Sequence, residues 1–80
     1  MNGEQRNAEL RKIFQDMPAS IPLMERYVII AKVAMSEESA ARSWISEANG
    51  RTIPAIKLKA IKDAVLMYGA ALRPKVGQHV

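Results

Sequence analysis

Few residues in this chain can do covalent or acid–base chemistry. There is no cysteine and a single histidine, His79, next to the last residue. Without cysteine a disulfide framework or thiolate metal site is excluded, and one histidine leaves almost no material for a dyad or an imidazole metal centre. Glu37 and Glu38 are adjacent. Neighbours on a helix point about 100° apart, a poor arrangement for paired carboxylates. No glycine-rich phosphate loop is present. The chain is therefore expected not to be an enzyme and to hold no metal and no cofactor. What remains is recognition chemistry. Glu38, Ser39, Arg42 and Ser43 lie in one short polar stretch, with Arg51, Thr52 and Lys57 soon after. A guanidinium such as that of Arg42 can donate to two guanine acceptors at once, and a glutamate can accept from cytosine N4.

Charge distribution agrees with this chemistry. The chain of 80 residues has a formal net charge of +4. After Trp44 the basic residues Arg51, Lys57, Lys59, Lys62, Arg73 and Lys75 face Glu47 and Asp63 alone. A local basic cluster attracts phosphates; Lys59 and Lys62 read better as a solvated face. Eighty residues make one small domain with a marginal core, for which oligomerisation is a reasonable expectation. The N-terminal "MNGEQRN" has no apolar signal core, and the apolar run "AVLMYGAAL" is less than half a membrane span. A soluble, cytoplasmic protein without membrane contact is expected.

The elements that must position these side chains are all helical, because apolar residues recur with helical spacing and strand signals are absent. Leu10, Ile13, Phe14 and Met17 make one face of a first helix over 4–17, ended by Pro18. "PASIP" (18–22) is a connector, with Ser20 or Ile21 as cap and Pro22 in the next first turn. A second helix over 22–34 is apolar nearly all round and is expected to be central. Ser36 is the expected N-cap of a third helix over 37–48, with Glu37 and Glu38 favourable in its first turn. Ala41, Trp44, Ile45 and Ala48 form its inward stripe, and Asn49-Gly50 its end. Pro54 opens a fourth helix over 54–72 whose Ile56, Ala60, Ile61, Ala64, Val65, Tyr68 and Leu72 can face the core. Pro74 stops it. The expectation is an all-α, compact four- to five-helix domain over 1–73, with a loose tail at 74–80.

On these residues the chain resembles the helix-turn-helix proteins of the lambda Cro and lambda repressor type, small regulators of phages and plasmids. Ala31 lies inside the first helix of the pair. Met35 falls four residues on, at the turn. Ala41 follows six later and Trp44 three after that, with Ile45 beside it. "GRTIPA" (50–55) is similar to the family's link into the following helix. The likeness covers about residues 27–68. Two features depart from the family pattern: Met35 stands where glycine is usual, and Glu37 and Glu38 open the helix that would approach phosphates. "SEA" (46–48) is extra before the glycine, so the third helix is expected to be long.

The resemblance implies a sequence-specific DNA-binding transcriptional regulator, a repressor in its usual output, with residues 37–48 in the major groove. It assigns base contact to Glu38, Ser39, Arg42 and Ser43. Separately, Arg51 and Thr52, with the N-terminus of the fourth helix, can hold a phosphate through charge and free backbone N–H groups, and Lys57 can add to this. Tyr27 is either core or a phosphate contact. The structural set is Ala31, Met35, Ala41, Trp44 and Ile45. One reading helix covers only a few base pairs, so a homodimer on a two-fold operator of double-stranded DNA is implied. Leu58, Leu66 and Ala70, apolar and partly outside the inward stripe, or the apolar residues of the first helix, are the suggested dimer face. The rival reading is a small helical protein-interaction module, such as a phage-encoded inhibitor of another protein, for which the two glutamates would suit a contact surface.

Overall fold

The computed structural model describes residues 2–47 and 50–72. The expected tail at 74–80, Pro74, His79, Ala48 and Asn49 lie outside the described residues. Four helices follow in order: α1 (Gly3–Asp16), α2 (Leu23–Val33), α3 (Glu38–Ile45) and α4 (Ala55–Tyr68). The protein is all-α. Among the described residues no helix is long and apolar enough to cross a membrane.

α1 starts where a reciprocal cap forms. The Asn2 side chain accepts from the Gln5 backbone N–H at 2.8 Å, and the Gln5 side chain accepts from Asn2 N–H at 2.9 Å. This satisfies two orphan donors at the helix start. Met17 is extended, and Pro18 follows. The expected face is buried: Leu10, Phe14 and Met17 lie in the core, with Ile13 packed against it.

The connector is held by a residue the sequence did not single out. Arg26 donates to the carbonyls of Ile21 (2.9 Å), Phe14 (3.1 Å) and Pro18 (3.1 Å), and lies 5.8 Å from the Phe14 ring centre. α1 has no basic residue in its own last turn. Arg26 on α2 supplies the positive charge that the α1 carbonyl end favours. Pro22 sits at the N-cap of α2 rather than inside it, and neither Ser20 nor Ile21 caps by side chain. α2 is less enclosed than its composition suggested. Ile29, Ile30 and Ala31 are buried, but Leu23 and Met24 in its first turn are exposed.

α1 and α2 each pack against both α3 and α4. The core joins Leu10, Ile30, Ile53, Ile61 and Leu72, all fully buried, to Phe14, Ala41 and Trp44.

α4 differs from expectation in length and in phase. It ends at Tyr68, because Gly69 adopts φ 83°, and Leu72 then turns back into the core at φ 62°. Glycine takes such a conformation without the Cβ clash. Leu72 faces the core as expected, but from the segment after the helix. Leu58, expected at a dimer face, is 3% exposed and in the core, whereas Ile56, expected in the core, is 77% exposed. Tyr68 is also exposed. More than half the circumference of α4 is apolar, so periodicity alone could not fix which stripe turns inward.

Candidate nucleic-acid interface

The turn between α2 and α3 closes with a helix-ending motif built on a non-glycine residue. Met35 N–H donates to Lys32 O at 3.1 Å, and Ser36 N–H donates to Ala31 O at 2.8 Å. Between them Met35 has φ 53°. That pair of bonds around a left-handed residue is the Schellman arrangement. Its left-handed position coincides with the one where the sequence resemblance calls for glycine. Ser36 therefore serves the end of α2. Its hydroxyl donates to Ala34 O at 3.2 Å, and Glu37 rather than Ser36 is the N-cap of α3, without a side-chain cap bond.

Met35 carries a testable cost. Its side chain is 88% exposed, so it loses no packing when removed. Met35→Gly relieves the left-handed penalty but gains freedom in the unfolded chain. The net expectation is a gain of about 0.5–1 kcal/mol. Met35→Ala, which keeps Cβ, is expected to change little. Urea midpoints of the two variants check this; a glycine variant no more stable than the alanine variant contradicts it.

α3 is short and firmly backed. Ala41, Trp44 and Ile45 are buried, and Ala31 on α2 belongs to the same buried cluster. The helix stops at Ile45 rather than 48. Ser46 is extended, and the link folds back onto the helix end: Arg51 N–H donates to Ser43 O at 3.2 Å. Gly50 permits this approach, because a Cβ there would collide with Ser46 O and lie 2.9 Å from Ser43 O. Ser46 and Glu47, the described part of the extra "SEA", thus belong to the link and do not lengthen the helix.

The link is pinned from the other side by α1. Asn7, buried, donates from Nδ2 to Arg51 O at 2.9 Å and accepts at Oδ1 from Ile53 N–H at 2.9 Å. Arg6 Nε donates to Ile53 O at 2.9 Å. Sequence reasoning missed both residues.

On the outward side, Glu37, Ser39, Arg51 and Thr52 are exposed, and Glu38, Arg42 and Ser43 are half-buried. The Arg51 Nε donates to the Ser43 hydroxyl at 3.3 Å, which brings a base-contact candidate and a phosphate-contact candidate together. Arg42 is the most constrained of the set. Its Nε and Nη2 both donate to Glu38 Oε2 at 2.9 Å. Its guanidinium carbon lies 4.8 Å from the Tyr27 ring centre, and Nη2 is 3.1 Å from Met24 Sδ. Tyr27 in turn packs on Phe14 with ring centres 4.8 Å apart. Tyr27 is accordingly an edge of the core carrying Arg42. Lys57 is drawn into the turn: its Nζ donates to Ala34 O (2.9 Å) and Met35 O (3.2 Å), satisfying carbonyls that α2 leaves open. These two bonds tie α4 to the turn.

The remaining charges sit elsewhere. Lys62 pairs with Glu9 at 3.3 Å and Lys59 with Asp63 at 2.8 Å, as expected of a solvated face. Leu66 is 86% exposed on a groove between α1 and α4 lined also by Ile13 and Val65, and Ala70 is exposed. Among the described residues no three acidic or histidine side chains gather in a way that could hold a metal ion. No protein-family model matches the chain, and no curated protein or solved structure matches it either.

Proposed function

We propose that the chain is a sequence-specific DNA-binding transcriptional regulator, acting as a repressor, in which α2, the Met35 turn and α3 form a helix-turn-helix. The observation that carries this reading is the left-handed turn at Met35. It packs a short helix on α2, with Ala31 and Ala41 in one buried cluster, while the opposite side of α3 stays exposed or half-exposed. That side offers Ser39, Arg42 and Ser43, flanked by Arg51 and Thr52. A reading helix needs such a brace to present its first turns to the major groove. Arg51 and Thr52 then suit phosphates. Dimer formation on a two-fold operator belongs to the same proposal, with Leu66 and Ala70 as its apolar contact and Leu58 no longer part of it.

Titration against random duplex DNA at two salt concentrations tests the reading. Binding at low salt should weaken with added salt with a log–log slope of about −0.9 per neutralised phosphate. No binding at low salt overturns the proposal.

A second reading is a protein-interaction module. It is favoured by Glu38, which neutralises Arg42, and by the exposed Leu23 and Met24 at the same end of α2. It predicts no duplex affinity at any salt concentration.

A further inference from the structure

The half-buried pair Glu38 and Arg42 invites a division of labour different from two independent base readers. Arg42 has five N–H donors in a planar fork. The edge formed by Nε and the inner hydrogen of Nη2 is taken by one carboxylate oxygen of Glu38 at 2.9 Å. The plane of the group is supported by Tyr27 at 4.8 Å. Tyr27 is itself seated on buried Phe14. What remains is the outer end of the fork, Nη1 with the outer hydrogen of Nη2. In this structure that hydrogen is directed at the Met24 thioether, 3.1 Å away. A thioether is a weak acceptor that a stronger one displaces.

We propose that Glu38 is a positioning residue, not a base reader. It locks Arg42 on the Tyr27 platform, with the end of its fork aimed to take the O6 and N7 acceptors of a guanine in the major groove. This inference rests on the DNA-binding reading. A flexible arginine near phosphates pairs with any of them. One held at its Nε edge by a carboxylate and on its face by an aromatic ring loses little freedom when it meets two acceptors in the plane of the fork. The negative charge of Glu38 costs general affinity for the phosphate backbone, and the restriction it imposes on Arg42 supplies preference for one base. The acidic start of α3, unexpected in a DNA reader, has this rationale at Glu38.

The test is selection of duplexes with a randomised centre by the full-length protein, together with affinity for random duplex, for wild type, Glu38→Gln and Arg42→Lys. Both side chains are partly exposed to solvent, and melting curves confirm that the variants fold. Wild type should select a guanine at one position by about tenfold to a hundredfold, the range of a bidentate pair. Glu38→Gln should bind random duplex more tightly, yet its guanine preference should fall below about threefold. Arg42→Lys keeps the charge but not the fork. It should keep the salt slope and lose the preference. Unchanged guanine preference in Glu38→Gln overturns the positioning role even though duplex binding persists. A wild-type selection without guanine overturns Arg42 as the reader. A wild type that binds no duplex at low salt is the separate failure of the DNA-binding reading, and the inference falls with it.

Discussion

Trp44→Ala is expected to destabilise the fold by about 3–5 kcal/mol. Trp44 is 5% exposed in a core shared with Ala41, Ile45, Leu10 and Ile30. α3 has eight residues, too few to be stable as an isolated helix. Its place therefore depends on what its buried stripe contributes. A domain of this size has a total stability of only about 4–12 kcal/mol. Loss of the indole would bring it close to unfolding at ordinary temperature. Urea denaturation followed by far-ultraviolet circular dichroism checks this. A loss under about 1 kcal/mol would mean that α3 is not anchored by Trp44. Trp44→Phe, which refills most of the volume, should recover more than half of the difference.

Asn7→Ala is the second large effect, and it acts on the link rather than on the helix. Removing the side chain strands the Ile53 N–H, which is buried, and the Arg51 carbonyl. The buried Ile53 N–H left without an acceptor costs about 1–3 kcal/mol, while the carbonyl of exposed Arg51 can turn to water, so a total loss of about 1–3 kcal/mol is expected. Asn7→Leu should not rescue it, because added apolar contact leaves the same N–H without an acceptor. The amide of Ile53 should lose protection from hydrogen exchange in both variants. Full protection there, with unchanged stability, would contradict a clamp at Asn7. Because the same link carries Arg51 and Thr52, the variant should also loosen the far edge of the α3 face.

Periodicity made the helices legible, since each has an apolar stripe and a proline or glycine close to an end. It also made the inward residues of α1 and α3 legible, because those stripes are narrow and their far sides are polar. It failed on α4, where apolar residues surround the helix and Leu58 and Ile56 exchange places. The turn was legible as a spacing but not as a conformation. Methionine has no preference for positive φ, so only the neighbouring Ala31 and Ala41 pointed to it. Serine commonly starts helices, but here the Ser36 hydroxyl turns back to Ala34 O and Glu37 takes the cap position. Asn7 and Arg26 were invisible because their partners are carbonyls and an N–H brought close only by the folded connector and link. Nothing in their own surroundings distinguishes them from surface residues. The Glu38–Arg42 pair was legible as an i, i+4 spacing. The Tyr27 platform beneath it was not, because Tyr27 belongs to another helix.

The central claim is that the outward side of α3 meets duplex DNA. Amide chemical shifts of the labelled protein, followed while a short duplex is added at low salt, test it most directly. The account predicts the largest changes at residues 37–43 of α3 and at Arg51 and Thr52. Shifts confined to α1 and the outer side of α4, or no shifts at all, would contradict it.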